Sequence, residues 1–130
     1  MYTFRELGIV FLIGGIGYGI MEILFRGYTH WSMLVTGGIC FFIFYLINFS
    51  RETHNLIIRC IFSTLIITTL EFIVGYIVNI VLNWDVWDYS HMPYNIKGQI
   101  CLGFSGIWLI LGIPMTVLSD KLREILYFKQ

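Results

Sequence analysis

Long apolar runs separated by short polar segments dominate this chain. Four of the runs are long enough to cross a bilayer, because a spanning helix needs about 20 mostly apolar residues. They cover residues 7–25, 31–48, 56–82 and 98–118. The third run exceeds the required length, so we expect its helix to tilt or to project beyond the hydrocarbon. The pattern predicts an all-α, polytopic membrane protein with four transmembrane helices.

Composition supports the same assignment. The chain has 130 residues, of which 58% are hydrophobic and 12% charged, and its mean hydropathy is +0.80. A soluble domain carries about 25% charged residues, and a small chain has too much surface to bury so many apolar side chains in one core. We therefore expect residues 1–130 to form a single domain in the cell membrane, with the lipid bilayer as partner. The net charge of +0 gives no indication of nucleic-acid binding.

Basic residues are concentrated at one end of the predicted bundle. If the N-terminus lies inside, Arg26 and Lys97 face outward. The other basic residues then face the cytoplasm: Arg5, Arg51, Arg59, Lys121, Arg123 and Lys129. The positive-inside rule therefore predicts that both termini are cytoplasmic. The segment between the third and fourth spans would then lie outside.

Two acidic residues fall within the predicted spans. Glu22 lies near the outer end of the first span, and Arg26 follows one helical turn later, where it can form an ion pair with Glu22. Gly15 and Gly19 share the stripe of Glu22, and small residues at this spacing permit close helix approach.

Glu71 lies near the middle of the third span, where an unpaired charge is most costly. Thr64, Thr68, Gly75 and Asn79 fall on the same helical face. Polar residues in a bilayer normally face protein or water, so we expect this face to point inward. Two roles remain open for this face: it forms purely structural hydrogen bonds with a neighbouring helix, or it is part of a binding or conduction site. The second span is almost wholly apolar, which favours a peripheral position, with a polar centre formed by spans one, three and four.

Aromatic residues crowd the outer segments of the chain, namely Trp31, Trp84, Trp87, Tyr89 and Tyr94. Such residues commonly form an interfacial belt. Asp85 and Asp88 lie between the tryptophans, and a belt does not require carboxylates. Aromatic rings with nearby carboxylates suit a cationic or amphiphilic ligand. The pattern leaves both interpretations open.

The same loop offers little for metal binding or catalysis. Asp85, Asp88 and His91 have no fixed metal-ligand geometry. Ser90 and His91 are adjacent, which does not make a nucleophile–base pair, and no nucleophile-elbow glycines surround Ser90. We therefore predict no metal, no cofactor and no catalytic residue. The cysteines stand singly in or beside apolar runs and are expected to act as packing residues: Cys40, Cys60 and Cys101.

Several motifs resemble those of one membrane family. They are LEFIVGY at 70–76, WDYS at 87–90, NIKGQICL at 95–102, GYGIME at 17–22 and GYTHWSM at 27–33. Together they resemble the CmpB-like, ABC-transporter type IV family, which includes eukaryotic four-span proteins. The resemblance implies a four-span fold and a transport-related role. The positions that match the family's motifs are Glu22, Glu71, Trp87, Asp88, Tyr89, Ser90, Asn95 and Gly98.

These observations predict a transporter, a channel-like protein or a small-ligand-binding protein with a buried carboxylate site for a cation, a proton or an amphiphile. The candidate ligand-binding residues are Glu22, Arg26, Glu71, Trp87, Asp88, Tyr89, Ser90 and Asn95. Four helices enclose little volume, so we expect a homo-oligomer or a membrane partner subunit. The alternatives are a structural subunit of a larger membrane complex and, third, a membrane-embedded enzyme acting on lipid.

Overall fold

Helices make up most of the structure, a computed structural model that describes residues 3–49 and 55–128. Within these ranges lie helices α1 (Phe4–Arg26), α2 (Trp31–Phe49), α3 (Leu56–Gly75) and α4 (Leu102–Phe128). α1, α4 and α3 with its continuation are long and apolar enough to cross a membrane, whereas α2 is apolar but shorter. The predicted helical membrane architecture is thus confirmed in its main features. Arg51 and Lys129, used above for orientation, lie outside the described residues.

Local sequence signals set the helix ends. The Thr3 hydroxyl accepts a hydrogen bond from the Glu6 amide at 3.1 Å and caps the N-terminus of α1. Gly27 ends α1 in the left-handed conformation, with φ of 83°. Asn55 caps α3 by accepting a hydrogen bond from the Ile58 amide at 2.9 Å. α3 then continues into a π-helical segment, Tyr76–Val81.

The helices pack mainly in two antiparallel pairs. α1 packs along α2 and α3 along α4, while α2 also contacts α3 and α4. The backbones of α1 and α4 make few close contacts in the described part of the chain, although the rings of Tyr18 and Trp108 meet with centres 6.1 Å apart. Glycines permit the closest approaches: a Cβ on Gly15 would lie 2.7 Å from the Leu34 carbonyl oxygen, and one on Gly112 would lie 2.7 Å from the Cα of Cys60. The close helix approach expected at Gly15 is confirmed.

α2 is central, so the predicted peripheral position is wrong. Its buried side chains include Thr36, Cys40, Phe41, Phe44 and Tyr45. A helix that is apolar all round is equally compatible with lipid and with a protein interior, so its hydropathy could not distinguish these two positions. The interior of the bundle is therefore formed by α2 together with α1, α3 and α4.

The segment between α3 and α4 folds over one end of the bundle. It contains a short antiparallel hairpin in which strand β1 (Asn95–Ile96) pairs with strand β2 (Ile100–Cys101). Gly98 has φ of 73° in the turn, a conformation that glycine adopts at little cost and that a helix cannot contain. The fourth helix consequently begins at Leu102, one turn later than the predicted start at residue 98.

Candidate functional site

A cavity of about 250 Å³ lies at the end of the bundle covered by the α3–α4 segment. Its walls come from α1, α4, the start of α2 and the covering segment. The side chains that matter for its chemistry are Tyr18, Glu22, Arg26, Trp87, Tyr89 and Trp108. The structure thus brings four of the predicted site residues together around one space: Glu22, Arg26, Trp87 and Tyr89.

The Glu22–Arg26 ion pair forms the charged part of the wall. Arg26 Nε lies 2.6 Å from Glu22 Oε2, as the i,i+4 spacing predicts. Arg26 Nη1 donates a hydrogen bond to the Val86 carbonyl at 2.9 Å, and the guanidinium carbon lies 4.4 Å from the centre of the Tyr28 ring. Arg26 Nη2 is buried and has no hydrogen-bond acceptor within the described residues. The N–H groups of Nη2 are therefore unused donors of the pair.

Glu71 lies one side chain away from the cavity. It is only 3% exposed, which confirms that the polar face of α3 points inward. The Trp108 indole interacts with its carboxyl group. However, neither Glu71 Oε2 nor Trp108 Nε1 makes a hydrogen bond of normal geometry to any residue that the structure describes. The cavity wall therefore carries one carboxylate and one guanidinium, and a second carboxylate, that of Glu71, lies behind Trp108.

A polar network fixes the covering segment against α3. Asn79 Oδ1 accepts a hydrogen bond from the Val86 amide at 2.7 Å, and Asn79 Nδ2 donates one to Gln99 Oε1 at 2.8 Å. Trp87 Nε1 donates to the Gln99 carbonyl at 3.0 Å. Gly75 leaves room for this contact, since a Cβ there would lie 2.6 Å from Gln99 Oε1. The network holds Trp87 in the cavity wall.

The outer aromatic residues divide into two groups. Trp87 is 6% exposed, and Tyr89 stacks on Phe104 with ring centres 4.7 Å apart. Burial raises the pKa of Tyr89 above its ordinary range, so its phenol stays protonated. By contrast, Trp31, Trp84 and Tyr94 are exposed, as belt residues would be. The exposed rings fit the interpretation as a belt, whereas a ligand role for the buried rings of Trp87 and Tyr89 stays a prediction.

Asp88, Ser90 and Asn95 lie in the covering segment but do not line the cavity. Asp88 Oδ1 accepts a hydrogen bond from the Ser90 amide at 2.8 Å, and this bond lowers the pKa of Asp88. Asn95 Nδ2 donates to the Met92 carbonyl at 2.8 Å, while Asn95 Oδ1 accepts from the Gly98 amide at 3.0 Å. These three residues shape the loop that carries Trp87. Their contact with a ligand stays a prediction.

Comparison with known proteins places this chain in a family. The model of the family described as Putative ABC-transporter type IV matches residues 9–128, which include every residue of the cavity wall. The chain belongs to this family. No curated protein and no solved structure matches it. The family and the apolar helices together indicate a transporter-related, multi-pass membrane protein.

Metal-ligating side chains do not cluster in residues 3–49 and 55–128, where no group of three or more His, Cys, Asp or Glu could hold an ion. Cys40, Cys60 and Cys101 are buried and free. They pack in the interior as expected.

The sequence pattern did not identify three residues that contribute to the interior, namely Tyr18, Gln99 and Glu6. Tyr18 and Gln99 have neighbours that come from distant segments, and no spacing in the sequence indicates these contacts. Glu6 is 2% exposed and accepts a hydrogen bond from the Tyr45 hydroxyl at the opposite end of the bundle. The Thr3-x-x-Glu6 pattern indicates a helix start, but it gives no indication that the carboxylate is buried.

Proposed function

We propose that this protein binds a small organic cation in the cavity between α1, α4 and the covering segment, as part of a transport cycle. The observation that carries the proposal is the position of Glu71, a buried carboxylate whose Oε2 has no hydrogen-bond partner among the described residues, behind the wall residue Trp108 of a cavity that contains Glu22. An ionised carboxylate in a bilayer is costly unless an opposite charge compensates it.

The local charges define the ligand. Arg26 is paired with Glu22 at 2.6 Å, which leaves the charge of Glu71 without a basic partner in the cavity wall. One positive charge on a ligand would complete the site. Trp87, Tyr89 and Trp108 would contact the apolar groups around that charge, as aromatic rings do around alkylated ammonium ions.

The same arrangement also provides a step for the transport cycle, the exchange of a cation for a proton at Glu71. When no cation is bound, a proton on Glu71 neutralises the buried carboxylate. When the cation enters, the proton leaves, so that cation and proton exchange at one group. The unpartnered oxygen of Glu71 is free to take part in either state.

We infer that both termini are cytoplasmic. The support is the concentration of basic residues at the end of the bundle opposite the cavity, where Arg5, Arg59 and Lys121 lie. The cavity then lies near the outer face of the membrane. A single cysteine added after Gln130 should be labelled only after the membrane is permeabilised. Labelling of this cysteine in intact cells would indicate the opposite orientation.

We further propose that the working unit is a homo-oligomer or includes a partner subunit, because a cavity of about 250 Å³ does not make a pathway through four helices. Native mass spectrometry of the protein in mild detergent tests this proposal. A discrete multiple of the chain mass, or a retained second chain, supports it, and a bare monomer contradicts it.

Titration with tetramethylammonium tests the binding site. Binding to the purified protein is followed by tryptophan fluorescence, to which Trp87 and Trp108 in the cavity wall contribute, in wild type, Glu71→Gln and Glu6→Gln. Glu6→Gln is the control, because it removes an equally buried carboxylate at the opposite end of the bundle. We expect saturable binding that weakens as the pH falls, is lost in Glu71→Gln and is retained in Glu6→Gln. Unchanged binding in Glu71→Gln would overturn the proposal.

A further inference from the structure

A second cavity adjoins the first, deeper along the bundle. Its volume is about 180 Å³, and the two cavities share Tyr18 and Met21. The residues that line the second cavity and bear on its chemistry are Ile13, Gly17, Phe41, Ile67, Pro114 and Met115. This wall is apolar, in contrast to the charged and aromatic wall of the outer cavity.

Both cavities lie in the gap between α1 and α4. In the described residues the backbones of these two helices make few close contacts, because each packs mainly on another helix, α1 on α2 and α4 on α3. Residues of α2 form the floor of the gap, among them Met33 in the outer cavity and Phe41 in the inner one. Gly17, Pro114 and Leu118 at its edge are exposed, so the gap opens sideways. In a bilayer this opening faces lipid chains.

The dimensions of the gap suit a chain molecule. From Glu22 to Ile13, α1 advances by roughly 14 Å at about 1.5 Å per residue. This length is comparable to that of an extended dodecyl chain. At the Glu22 end lies the ion pair, and the carboxyl group of Glu71 lies near Tyr18 and Trp108, behind the wall at the junction of the two cavities. At the Ile13 end the wall is apolar. The gap is therefore amphipathic along its length.

We propose that the ligand is a single-chain amphiphile with a cationic head, which enters from the bilayer between α1 and α4. The head lies against Glu22 and Glu71, and the chain lies in the apolar cavity below Tyr18 and Met21. This proposal rests on the cation site described above and specifies its ligand class. A site for a soluble cation would need the outer cavity alone and would leave the lateral opening without a role.

Gly17 offers a direct way to block the inner cavity. A Cβ added at Gly17 meets no heavy atom within 4 Å, although the residue lines the cavity, so a larger side chain can occupy that space without disturbing helix packing. Gly8 on the same helix is equally open but lines neither cavity. Gly17→Leu and Gly8→Leu therefore form a matched pair with equal changes in composition.

Photo-crosslinking with dodecylamine that carries a diazirine at the far end of its chain tests the proposal. The wild type, Gly17→Leu and Gly8→Leu are labelled in lipid nanodiscs, and the modified residues are mapped by mass spectrometry. We expect the label at inner-cavity residues such as Phe41 and Met115. Excess dodecyltrimethylammonium should remove it, and dodecyl sulfate should not. Labelling should fall about tenfold in Gly17→Leu, as expected when an added side chain must be displaced, and remain in Gly8→Leu.

Three results would overturn the proposal. The first is a label confined to lipid-facing residues such as Ile16 and Ile110, which are exposed on α1 and α4. The second is equal labelling of Gly17→Leu and Gly8→Leu, and the third is equal competition by dodecyl sulfate. If tetramethylammonium still binds in a Glu71-dependent manner, only the amphiphile proposal fails. If tetramethylammonium also fails to bind, the cation site fails with it.

Discussion

The guanidinium of Arg26, at the end of α1, donates a hydrogen bond to the backbone carbonyl of Val86 at 2.9 Å, across sixty residues of sequence. The same side chain is paired with Glu22 in the cavity wall at 2.6 Å. Arg26 therefore connects the carboxylate of the site to the segment that covers it. A ligand that competes for Glu22 would also act on the position of Val86 and Trp87.

Arg26→Gln should destabilise the fold by about 2 kcal/mol, because it leaves Glu22 without its partner and removes a charged hydrogen bond. The free energy of unfolding in mild detergent measures this change. Arg59→Gln is the control, since its ion pair with Asp120 at 3.0 Å is more exposed and is expected to contribute less than about 1 kcal/mol. Equal losses in the two variants would contradict the linking role of Arg26.

Gly75→Ala should displace the covering segment from α3. The added Cβ would lie 2.6 Å from Gln99 Oε1 and 2.7 Å from Trp87 Cζ2, so one of the two side chains must move. We expect a loss of about 1–3 kcal/mol in stability and greater quenching of tryptophan fluorescence by acrylamide. Gly106→Ala is the control, because a Cβ at Gly106 meets no heavy atom within 4 Å. Unchanged quenching in Gly75→Ala would contradict this packing.

Asn79→Leu should expose the Val86 amide to hydrogen exchange, because the leucine cannot accept the 2.7 Å hydrogen bond that this amide donates. The unpaired buried amide should cost about 1–3 kcal/mol of stability. Asn79→Asp keeps an acceptor for Val86 but loses the donor to Gln99, so its Val86 amide should remain the better protected of the two. Hydrogen exchange followed by mass spectrometry measures this difference. Equal exchange in both variants would exclude the proposed role of Asn79 Oδ1.

Asp88 should make the covering loop sensitive to acid. Its pKa is lowered in the fold by the hydrogen bond from the Ser90 amide. The resulting stabilisation is therefore complete above the ordinary pKa of an aspartate and is lost as the pH falls through the lowered value. Tryptophan emission recorded during an acid titration should shift to the red in wild type, and Asp88→Asn should remove part of that pH dependence. Asp85→Asn is the control, because it changes another exposed carboxylate in the same loop and leaves the Asp88–Ser90 hydrogen bond in place, so the red shift of tryptophan emission should be retained.

The agreement between sequence and structure is closest where the signal is local. The Glu22–Arg26 pair follows from i,i+4 spacing, and the inward position of Glu71 follows from the polar face of α3. The predicted start of α4 at residue 98 was wrong because Gly98 lies in a hairpin turn. The two paired strands are only two residues long each, and hydropathy gives no signal for them.

Hydropathy and spacing by themselves determined that this is a helical membrane protein with acidic residues facing its interior. An unpaired charge exposed to lipid is costly whichever helices become neighbours, so this conclusion does not depend on the tertiary structure. Only the tertiary structure decided that α2 is central, that Trp87 lines a cavity whereas Trp84 is exposed, and that Gln99 meets Asn79. These facts depend on which helices become neighbours. α1 and α4 remain apart because glycines bring α1 onto α2 and α4 onto α3, and that pairing opens the gap in which the candidate site lies.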